Sequence, residues 1–476
     1  MSASDLCFRD ISPLPKPHAK LRLARRLLLT AATLATILAG FYTEENWRGQ
    51  RAWIHCRRDL ERQGAVFDWS TRVPPPVPDE QNFFGVPQMA KWFVGRKKND
   101  LSEGLDDPRT HAVSMSGTNA IQTAAQAREY LAWSDQFVPE FDQIREALSR
   151  PSARINCDYG QPLTVQAPNF YTIRNFAQAL SQRAHCFLLL SEPEKAVEEL
   201  TLLHEFCRVL DCPPCGKPIT LVGAMIHVAV TGLYADTVAE GLRSHAWREP
   251  QLKALQRQLS EIHLEFAMAE TLVDEPMFTL RTLQTSSRAE LVKLAPNLPR
   301  ASRWLLYYAP RGWLDQYMVF HARLNQEFRN GFDSSAPSVS PAKTDQAGGI
   351  LSAAVKNFSL YRTIGSWAIP NWVKALQRYA ANQTLANEGA VACALEQYRL
   401  AQGGYPRSLE MLVPRFIDKI PRDVIGGQPL RYEWITGDEF RLYSLGWNGR
   451  DDGGNAGTNL VDGDWVWGES SQAITR

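Results

Sequence analysis

The sequence has almost no excess of charge of either sign. Its 476 residues include 52 lysines and arginines and 51 aspartates and glutamates, so the formal net charge is +1. A field of one sign is what draws a protein to nucleic acid over a distance, and the balance argues against a nucleic-acid partner. The rest of the composition is that of a folded protein, since 44% of the residues are hydrophobic and 22% are charged.

Short catalytic motifs are also missing. The chain contains no Gly-x-Ser-x-Gly, no His-Glu-x-x-His, no phosphate-binding glycine loop before a helix and no dinucleotide fingerprint. The nine histidines are scattered, and His263 and Glu265 are too close in sequence to share one helical face. The absence favours a non-enzymatic role, although an active site assembled from distant residues stays open.

Long apolar runs are scarce, and the clearest one lies near the N-terminus. Residues 27–42 read LLLTAATLATILAGFY without a charge. The basic residues that precede this run are Lys16, Lys20, Arg22, Arg25 and Arg26. We expect a transmembrane anchor over 21–43 in contact with the lipid bilayer, since flanking arginines and the pair Phe41 and Tyr42 can extend a slightly short run to both interfaces.

The basic residues on one side of the run predict its orientation. Lysine and arginine stay on the cytoplasmic side, which makes 1–20 a cytoplasmic tail and exports the bulk of the chain. A cleaved signal peptide is the rival interpretation. It is disfavoured because Leu38-Ala39-Gly40 places leucine where the cleavage site needs a small residue.

Helical periodicity dominates after the anchor. Residues 44–120 predict a juxtamembrane helix that ends at Gly64 and a Pro-rich strut over 73–78 that holds the body away from the membrane. Residues 121–332 predict a multi-helix domain. Its expected helical segments are 124–148, 174–190, 194–210, 219–234, 247–265 and 304–328. The uncharged segment 219–234 lacks basic or aromatic belts, so we expect a buried core helix there instead of a second span.

A change of composition marks the predicted domain boundary. Residues 333–350 are small, polar and interrupted by Pro and Gly, which is typical of a linker. In the remainder, 351–476, we expect a helix over 380–401 that lies across an antiparallel hairpin, with strands over 430–434 and 440–445. The predicted fold class is therefore mainly α, with a single N-terminal membrane helix, a multi-helix middle domain and a small C-terminal α+β module.

One cluster has the spacing of a site. His204, Cys207, Cys212 and Cys215 offer an imidazole and three thiols, enough for tetrahedral zinc. As a redox pair, Cys212 and Cys215 have the two-residue gap that lowers a thiolate pKa. The structural alternative is a disulfide that closes the turn, or buried small thiols, and the expected export of this region favours that alternative over zinc or redox chemistry.

The C-terminal module carries the most ordered series of motifs. They are Gly-Tyr-Pro, Leu-x-x-Leu-Val-Pro, Ile-Pro-Arg-Asp, Gly-Gly-Gln-Pro-Leu-Arg-Tyr, Tyr-Ser-Leu-Gly-Trp-Asn-Gly and Asp-Gly-Asp-Trp. Over 383–467 this order resembles the globular domain of the major pseudopilin of type II secretion. The resemblance implies a protein of the bacterial inner membrane, with its bulk periplasmic or extracytoplasmic, and an unidentified envelope protein as partner.

The resemblance also implies calcium, which in that family is held in the terminal loop by aspartate side chains and backbone carbonyls. The matching positions here are Leu445, Asn448, Asp451, Asp452, Asp462 and Asp464. Four carboxylates and one amide within 17 residues, separated by glycines, are hard oxygen ligands on a backbone that is free to curl around a cation. The alternative is a solvated acidic loop, because Asp-Gly clusters usually form turns.

The chain departs from the pseudopilin pattern at its start. A pseudopilin has its apolar helix after the leader cleavage site, whereas here the run precedes the similar stretch 40–45, and assembly into a filament is not expected. The order of the parts also resembles large membrane-anchored proteins of environmental bacteria, which implies no function. The leading hypothesis is a single-pass envelope protein with a non-enzymatic binding or assembly role. The alternatives are an envelope hydrolase with its site in the helical domain, and a zinc or redox protein centred on 204–215.

Overall fold

The computed structural model of the chain is mainly helical. It describes residues 17–112, 121–160, 165–211, 220–296, 298–356, 361 and 369–468. Within these ranges a long apolar helix lies at the N-terminus and a small three-stranded antiparallel sheet at the C-terminal end. The fold class predicted from the sequence is confirmed.

The elements are numbered in chain order. The helices are α1 (Pro17–Arg62), α2 (Pro87–Phe93), α3 (Asp100–Gly104), α4 (Ala124–Ser134), α5 (Val138–Leu148), α6 (Phe170–Leu189), α7 (Pro193–Cys207), α8 (Leu221–Arg243), α9 (Glu249–Ser260), α10 (Leu264–Thr285), α11 (Arg288–Leu294), α12 (Arg300–Tyr308), α13 (Arg311–Asn330), α14 (Pro341–Lys356) and α15 (Trp372–Gln402). The strands are β1 (Phe332–Asp333), β2 (Ser338–Val339), β3 (Arg431–Thr436), β4 (Glu439–Ser444) and β5 (Trp465–Val466).

Helix α1 contains the whole apolar run and continues well beyond it. It ends at Arg62, just before Gly64, whose φ of +88° breaks the helix where the sequence predicts. Among the described residues, α1 and α8 are the two helices long and apolar enough to cross a membrane. The apolar window of α1 contains no buried residue, whereas 67% of the α8 window is buried, as expected for a core helix.

The second half of α1 packs along α13. Its buried positions are Glu45, Gly49, Trp53, Cys56 and Leu60, which recur every three or four residues on one face. A Cβ on Gly49 would lie 2.2 Å from the carbonyl oxygen of Gly312. The two helix backbones can approach this closely because neither position carries a side chain.

The predicted helix over 304–328 is interrupted. Helix α12 ends at Tyr308 and α13 begins at Arg311. Pro310 stands between them, and proline both lacks the backbone N–H and clashes with the preceding turn of a helix. The break separates the short helix α12 from α13, which packs on α1.

The Pro-rich segment over 74–78 forms neither helix nor strand and lies against the helical body. Arg72, just before it, is paired with Glu270 and Asp274 of α10. Pro74 is buried. The segment therefore lies on the helical body, and the body is attached directly to α1.

Regular structure occupies residues 333–350, the segment assigned to a linker. β1 and β2 form a short hairpin, and α14 starts at Pro341. Val339 is buried and donates its N–H to the carbonyl oxygen of Val424 at 2.8 Å. Ala347 is buried where α14 packs between neighbouring helices. Small residues here serve close packing, not flexibility.

Helix α15 belongs to both the helical part and the C-terminal module. It starts at Trp372, eight residues earlier than predicted, and packs on α8 and α9. Trp372 and Tyr379 lie in the main helical core, whereas Val391 and Leu395 lie in the core under the sheet. The two parts therefore share one helix, and the composition break does not separate their cores.

The hairpin of the C-terminal module forms as predicted. β3 pairs antiparallel with β4, and β4 pairs with the short β5. Gly403 ends α15 in the left-handed conformation with φ +81°. Leu395 of α15, Leu412 and Leu442 of β4 are fully buried together. The helix lies across the sheet, and the sheet carries the acidic loop 445–464 between β4 and β5.

Candidate functional site

The acidic loop begins and ends at the same place. Gly446 follows β4, and a Cβ there would lie 2.3 Å from the carbonyl oxygen of Gly463, just before β5. Gly446 also has φ +63°, a conformation that side chains disfavour. The close approach of these two backbones closes the loop into a compact turn that contains the predicted calcium ligands.

Asp464 is the centre of this loop. Its side chain is 2% exposed, and its Oδ2 accepts the N–H of Asp452 at 3.0 Å and of Gly454 at 2.7 Å. Its Oδ1 is buried without a hydrogen-bond partner among the described residues. Burial raises the pKa of Asp464. A buried carboxylate oxygen without a donor is a position that a cation or a proton would satisfy.

The remaining predicted ligands make protein hydrogen bonds. Asp451 Oδ1 accepts from the Tyr443 hydroxyl at 3.1 Å, and Asp452 Oδ2 accepts from the Asn448 side-chain amide at 2.7 Å. Asp462 lies on a separate turn, where its Oδ2 accepts from Asn459 at 2.7 Å. The predicted set is therefore only partly gathered: direct hydrogen bonds join Asn448 to Asp452 and Asp452 to Asp464.

Leu445, also predicted as a ligand, uses its N–H to bind Asp423, whose Oδ2 lies 3.2 Å away. Asp423 is 1% exposed, and its Oδ1 accepts from the Ser444 hydroxyl at 2.8 Å. Glu388 of α15 is buried near it, and burial, with a contribution from the charge of Asp423, raises the Glu388 pKa. This buried acid pair fixes the start of the loop.

The oxygen donors of the loop fit a hard cation better than a soft one. Within the ranges that the structure describes, no group of three or more His, Cys, Asp or Glu side chains is arranged to hold a metal ion. To bind calcium, Asp451 and Asp452 would exchange their present hydrogen bonds for the ion, whereas Asp464 Oδ1 would lose none. Calcium at this loop would therefore depend most on Asp464.

The zinc or redox cluster is described only in part, because Cys212 and Cys215 lie outside the described residues. His204 Nε2 is 3.8 Å from Glu261 Oε2, and burial lowers the pKa of His204. Cys207 is a buried free thiol whose pKa burial raises. A raised pKa keeps a thiol protonated and unreactive, which matches the buried-thiol alternative for Cys207.

A cleft of about 700 Å³ separates α9 and the start of α10 from residues 414–422. Most of the charged side chains that line it are cationic or titrate as bases: Lys253, Arg257, His263, Arg415, Lys419 and Arg422. The acidic residues Glu265 and Asp418 also line it. The excess of positive charge makes the cleft suited to an anionic ligand.

Within this cleft the side chains of His263 and Glu265 form a hydrogen bond, although their sequence spacing predicts that they do not share a helical face. His263 lies just before α10, so the helical-face rule does not apply, and its Nδ1 is 2.9 Å from Glu265 Oε1. The hydrogen bond to Glu265 raises the His263 pKa. Gln383 of α15 holds this turn by accepting the Leu264 N–H at 2.9 Å and donating to the Ile262 carbonyl at 3.0 Å.

Comparison of the chain with protein-family models, with curated proteins and with solved structures found no match. The resemblance of the C-terminal module to pseudopilins thus stays a prediction. The N-terminal helix is apolar, exposed and consistent with either a membrane anchor or a signal sequence.

Proposed function

We propose that the chain is a single-pass envelope protein of a bacterial inner membrane, with its N-terminus cytoplasmic and its body exported. In this proposal it is not an enzyme but binds another envelope component. The exposed first half of α1 is the anchor, and the body is fixed to that anchor without a flexible tether.

The junction between α1 and α13 is the observation that carries this proposal. Glu45 is 8% exposed, and its Oε2 accepts the indole N–H of Trp313 at 2.8 Å. Its other oxygen lies 2.9 Å from the Arg48 guanidinium. Asn46 Oδ1 accepts the Gly312 N–H at 2.9 Å, which satisfies a free donor of the first turn of α13. These bonds join the helix to the body directly after the apolar run.

The same junction supports retention of α1 over its removal. Phe41 packs edge to face on Trp313 with ring centroids 6.2 Å apart, and the Tyr42 hydroxyl donates to the Tyr308 carbonyl oxygen. Cleavage near Gly40 would place these contacts at the frayed end of a helix. With α1 intact, the last residues of the run are part of the folded body.

Membrane fractionation of a chain with an N-terminal epitope tag tests the anchor. We expect the mature protein to keep the tag, to remain in membranes after alkaline extraction, and to be digested by protease added from outside the cytoplasm. A tagless protein released into the soluble fraction would show that α1 is a signal sequence. Leu34→Arg/Ile37→Arg, which breaks the exposed run, provides the control for failure to insert.

We assign the binding role to the cleft beside α9, with an acidic segment of the envelope partner as its ligand. The surplus of basic side chains supports this assignment, because complementary charge speeds encounter and excludes cationic partners. Arg257→Glu/Arg415→Glu should abolish co-purification of the partner from solubilised membranes. Arg450→Glu, in the acidic loop and outside the lining of the cleft, serves as a matched control and should have no effect.

Calcium in this proposal stabilises the C-terminal loop by neutralising its carboxylates. Calcium at 100 times its Kd should raise the free energy of unfolding of the full chain by about 3 kcal/mol. Asp464→Asn should remove this gain while it keeps the Asp452 and Gly454 hydrogen bonds, since the amide oxygen still accepts. Asp438→Asn, in the β3–β4 turn, should leave the gain intact. Equal melting in calcium and in chelator would refute the calcium site.

The second candidate is the envelope hydrolase, favoured by the His263–Glu265 pair. A buried carboxylate behind a half-exposed imidazole is an arrangement that orients a general base. Any hydrolysis of chromogenic esters, phosphoesters or peptides by the purified protein should disappear in His263→Ala and persist in His55→Ala, an exposed histidine of α1. Activity that survives His263→Ala would exclude this pair as the site.

A further inference from the structure

Helix α12 exposes an aromatic face. Trp304, Tyr307 and Tyr308 are 68%, 48% and 53% exposed. Their spacing of three and four residues places them on one side of the helix, together with the exposed Arg300 and Ala301 one turn earlier. The rings of Trp304 and Tyr308 are 4.3 Å apart and those of Tyr307 and Tyr308 are 4.9 Å apart, so the three form one continuous surface.

The orientation of α12 is fixed by its other face. Leu306 is 1% exposed in the core shared with α1 and α13. The Arg288 guanidinium donates to the carbonyl oxygens of Leu306 at 3.2 Å and Ala309 at 2.9 Å. The helix cannot turn to bury its aromatic side without breaking these bonds. Large aromatic side chains held in water in this way usually mark an interaction surface.

The position of α12 indicates what covers this surface. The Tyr42 hydroxyl donates to the carbonyl oxygen of Tyr308, so the C-terminal end of α12 lies beside the last residue of the apolar run in α1. Residues 27–41 of the run are exposed, and Tyr42 is half-buried. In a chain anchored by this run, that level is the membrane–water interface, where Trp and Tyr are enriched.

Charge around α12 suits a bilayer that contains anionic lipid. Between residues 288 and 311 the chain has one acidic residue, Glu290. The basic residues of this stretch are Arg288, Lys293, Arg300, Arg303 and Arg311. Lys293 and Arg300 are exposed. Basic side chains near the surface attract anionic headgroups, while the aromatic rings enter the headgroup region.

We propose that α12 is an interfacial helix that lies on the bilayer, with its aromatic face among the headgroups of anionic phospholipids. This inference rests on the proposed membrane anchor. With α1 through the membrane and α12 on its surface, the body has two points of attachment, and its tilt relative to the bilayer is fixed.

Quenching of tryptophan fluorescence by brominated phospholipid tests the proposal in the full-length protein reconstituted into vesicles. Among the described tryptophans only Trp47 and Trp304 are exposed. Trp304→Phe should therefore reduce the quenched emission by about half, because bromine in the upper acyl chain reaches indoles at the interface. Trp434→Phe, which removes a half-exposed indole from the C-terminal module, should leave it unchanged.

The role of charge is tested with Arg300→Glu/Arg303→Glu. In vesicles of phosphatidylcholine with phosphatidylglycerol, brominated lipid should quench the tryptophan fluorescence of this variant less than that of the unmodified protein. In phosphatidylcholine alone, the difference in quenching between the two proteins should be smaller. Equal quenching of both proteins in anionic vesicles would overturn the headgroup assignment.

Flotation of the vesicles separates the two proposals. Protein that does not float with vesicles contradicts the anchor. Protein that floats, but in which Trp304→Phe changes nothing, contradicts the interfacial helix alone. Protection of Trp304 from aqueous iodide without quenching by lipid would show that a second copy or another protein covers this face, and would also overturn the proposal.

Discussion

Helices α1 and α8 are both long and apolar enough to cross a membrane, yet they have opposite environments. Of the α8 hydroxyls, Tyr234 donates to Gln258 of α9 at 2.7 Å and Thr237 donates to the Leu233 carbonyl oxygen of its own helix at 2.9 Å. In the apolar run of α1, Thr30, Thr33 and Thr36 each donate to a carbonyl oxygen of their own helix at 2.9 Å. Hydrocarbon requires such internal satisfaction of polar groups. Burial, which is 67% for the α8 window and 0% for the α1 window, thus separates two helices that hydropathy does not.

The largest expected effect comes from placing the same charge in each helix, which tests whether α8 is a core helix and the apolar run of α1 is not. Val238 of α8 is 0% exposed, so Val238→Asp buries an unpaired carboxylate and should cost about 4 kcal/mol or more of unfolding free energy. Leu34→Asp, in the exposed run, should change the thermal unfolding of the body by less than about 0.5 kcal/mol but weaken retention in membranes. Circular-dichroism melts in detergent and alkaline extraction measure the two effects. If Leu34→Asp destabilised the body and Val238→Asp instead weakened membrane retention, α8 and not α1 would be the membrane helix.

Acid should distinguish a buried histidine of α13 from an exposed histidine of α1. His321 of α13 is fully buried, and burial lowers its pKa to about 4. The unfolded chain therefore takes up this proton first as pH falls. The His321 contribution to stability is constant above about pH 6.5 and falls toward pH 4, by up to about 3 kcal/mol.

His321→Gln should flatten this part of the pH dependence, as measured by urea denaturation at several pH values. The exposed His55→Ala of α1 should retain the full slope. A difference between His321→Gln and the unmodified protein that does not change with pH would show that this histidine is not buried.

The smallest expected effect on stability comes from adding a methyl group at one of two glycines. Gly312 of α13 lies where that helix crosses α1, and Gly40 lies in the exposed part of α1. A Cβ on Gly312 would lie 1.9 Å from the Glu45 carbonyl oxygen, whereas a Cβ on Gly40 has nothing within 4 Å. Gly312→Ala should destabilise the body by about 2 kcal/mol, and Gly40→Ala should cause no loss. Trypsin cleavage between Arg57 and Arg58 measures how readily α1 detaches from α13. If Gly312→Ala and Gly40→Ala resist trypsin equally, the backbones of α1 and α13 do not approach as closely as described.

Local signals in the sequence were sufficient for much of the fold. The uncharged runs 27–42 and 219–234 and the helix end at Gly64 are predicted because each pattern acts within a few residues. The hairpin 332–339 was missed because its burial depends on a bond from Val339 to Val424, far along the chain. The early start of α15 had a usable signal, since Trp372, Leu376 and Tyr379 have helical spacing and are all buried.

The candidate sites show the same limit. Composition and resemblance single out Asp464, but its partnerless Oδ1 follows from how the loop closes. Glu388 and Asp423 are 35 residues apart and meet only because α15 crosses the sheet. His263 and Glu265 were rejected by a rule for residues within a helix, and His263 precedes the helix. Tertiary contact, which no short pattern encodes, brings these groups together.

The unbroken course of α1 limits where the protein can meet a partner. From Tyr42 to Arg62 the helix is continuous, and at 1.5 Å per residue it rises about 30 Å. A body packed along that rise cannot swing outward as it would on a disordered tether. In the proposed anchored arrangement, a copy would therefore search for its partner by lateral diffusion in the plane of the bilayer, and the partner would have to come close to the membrane surface.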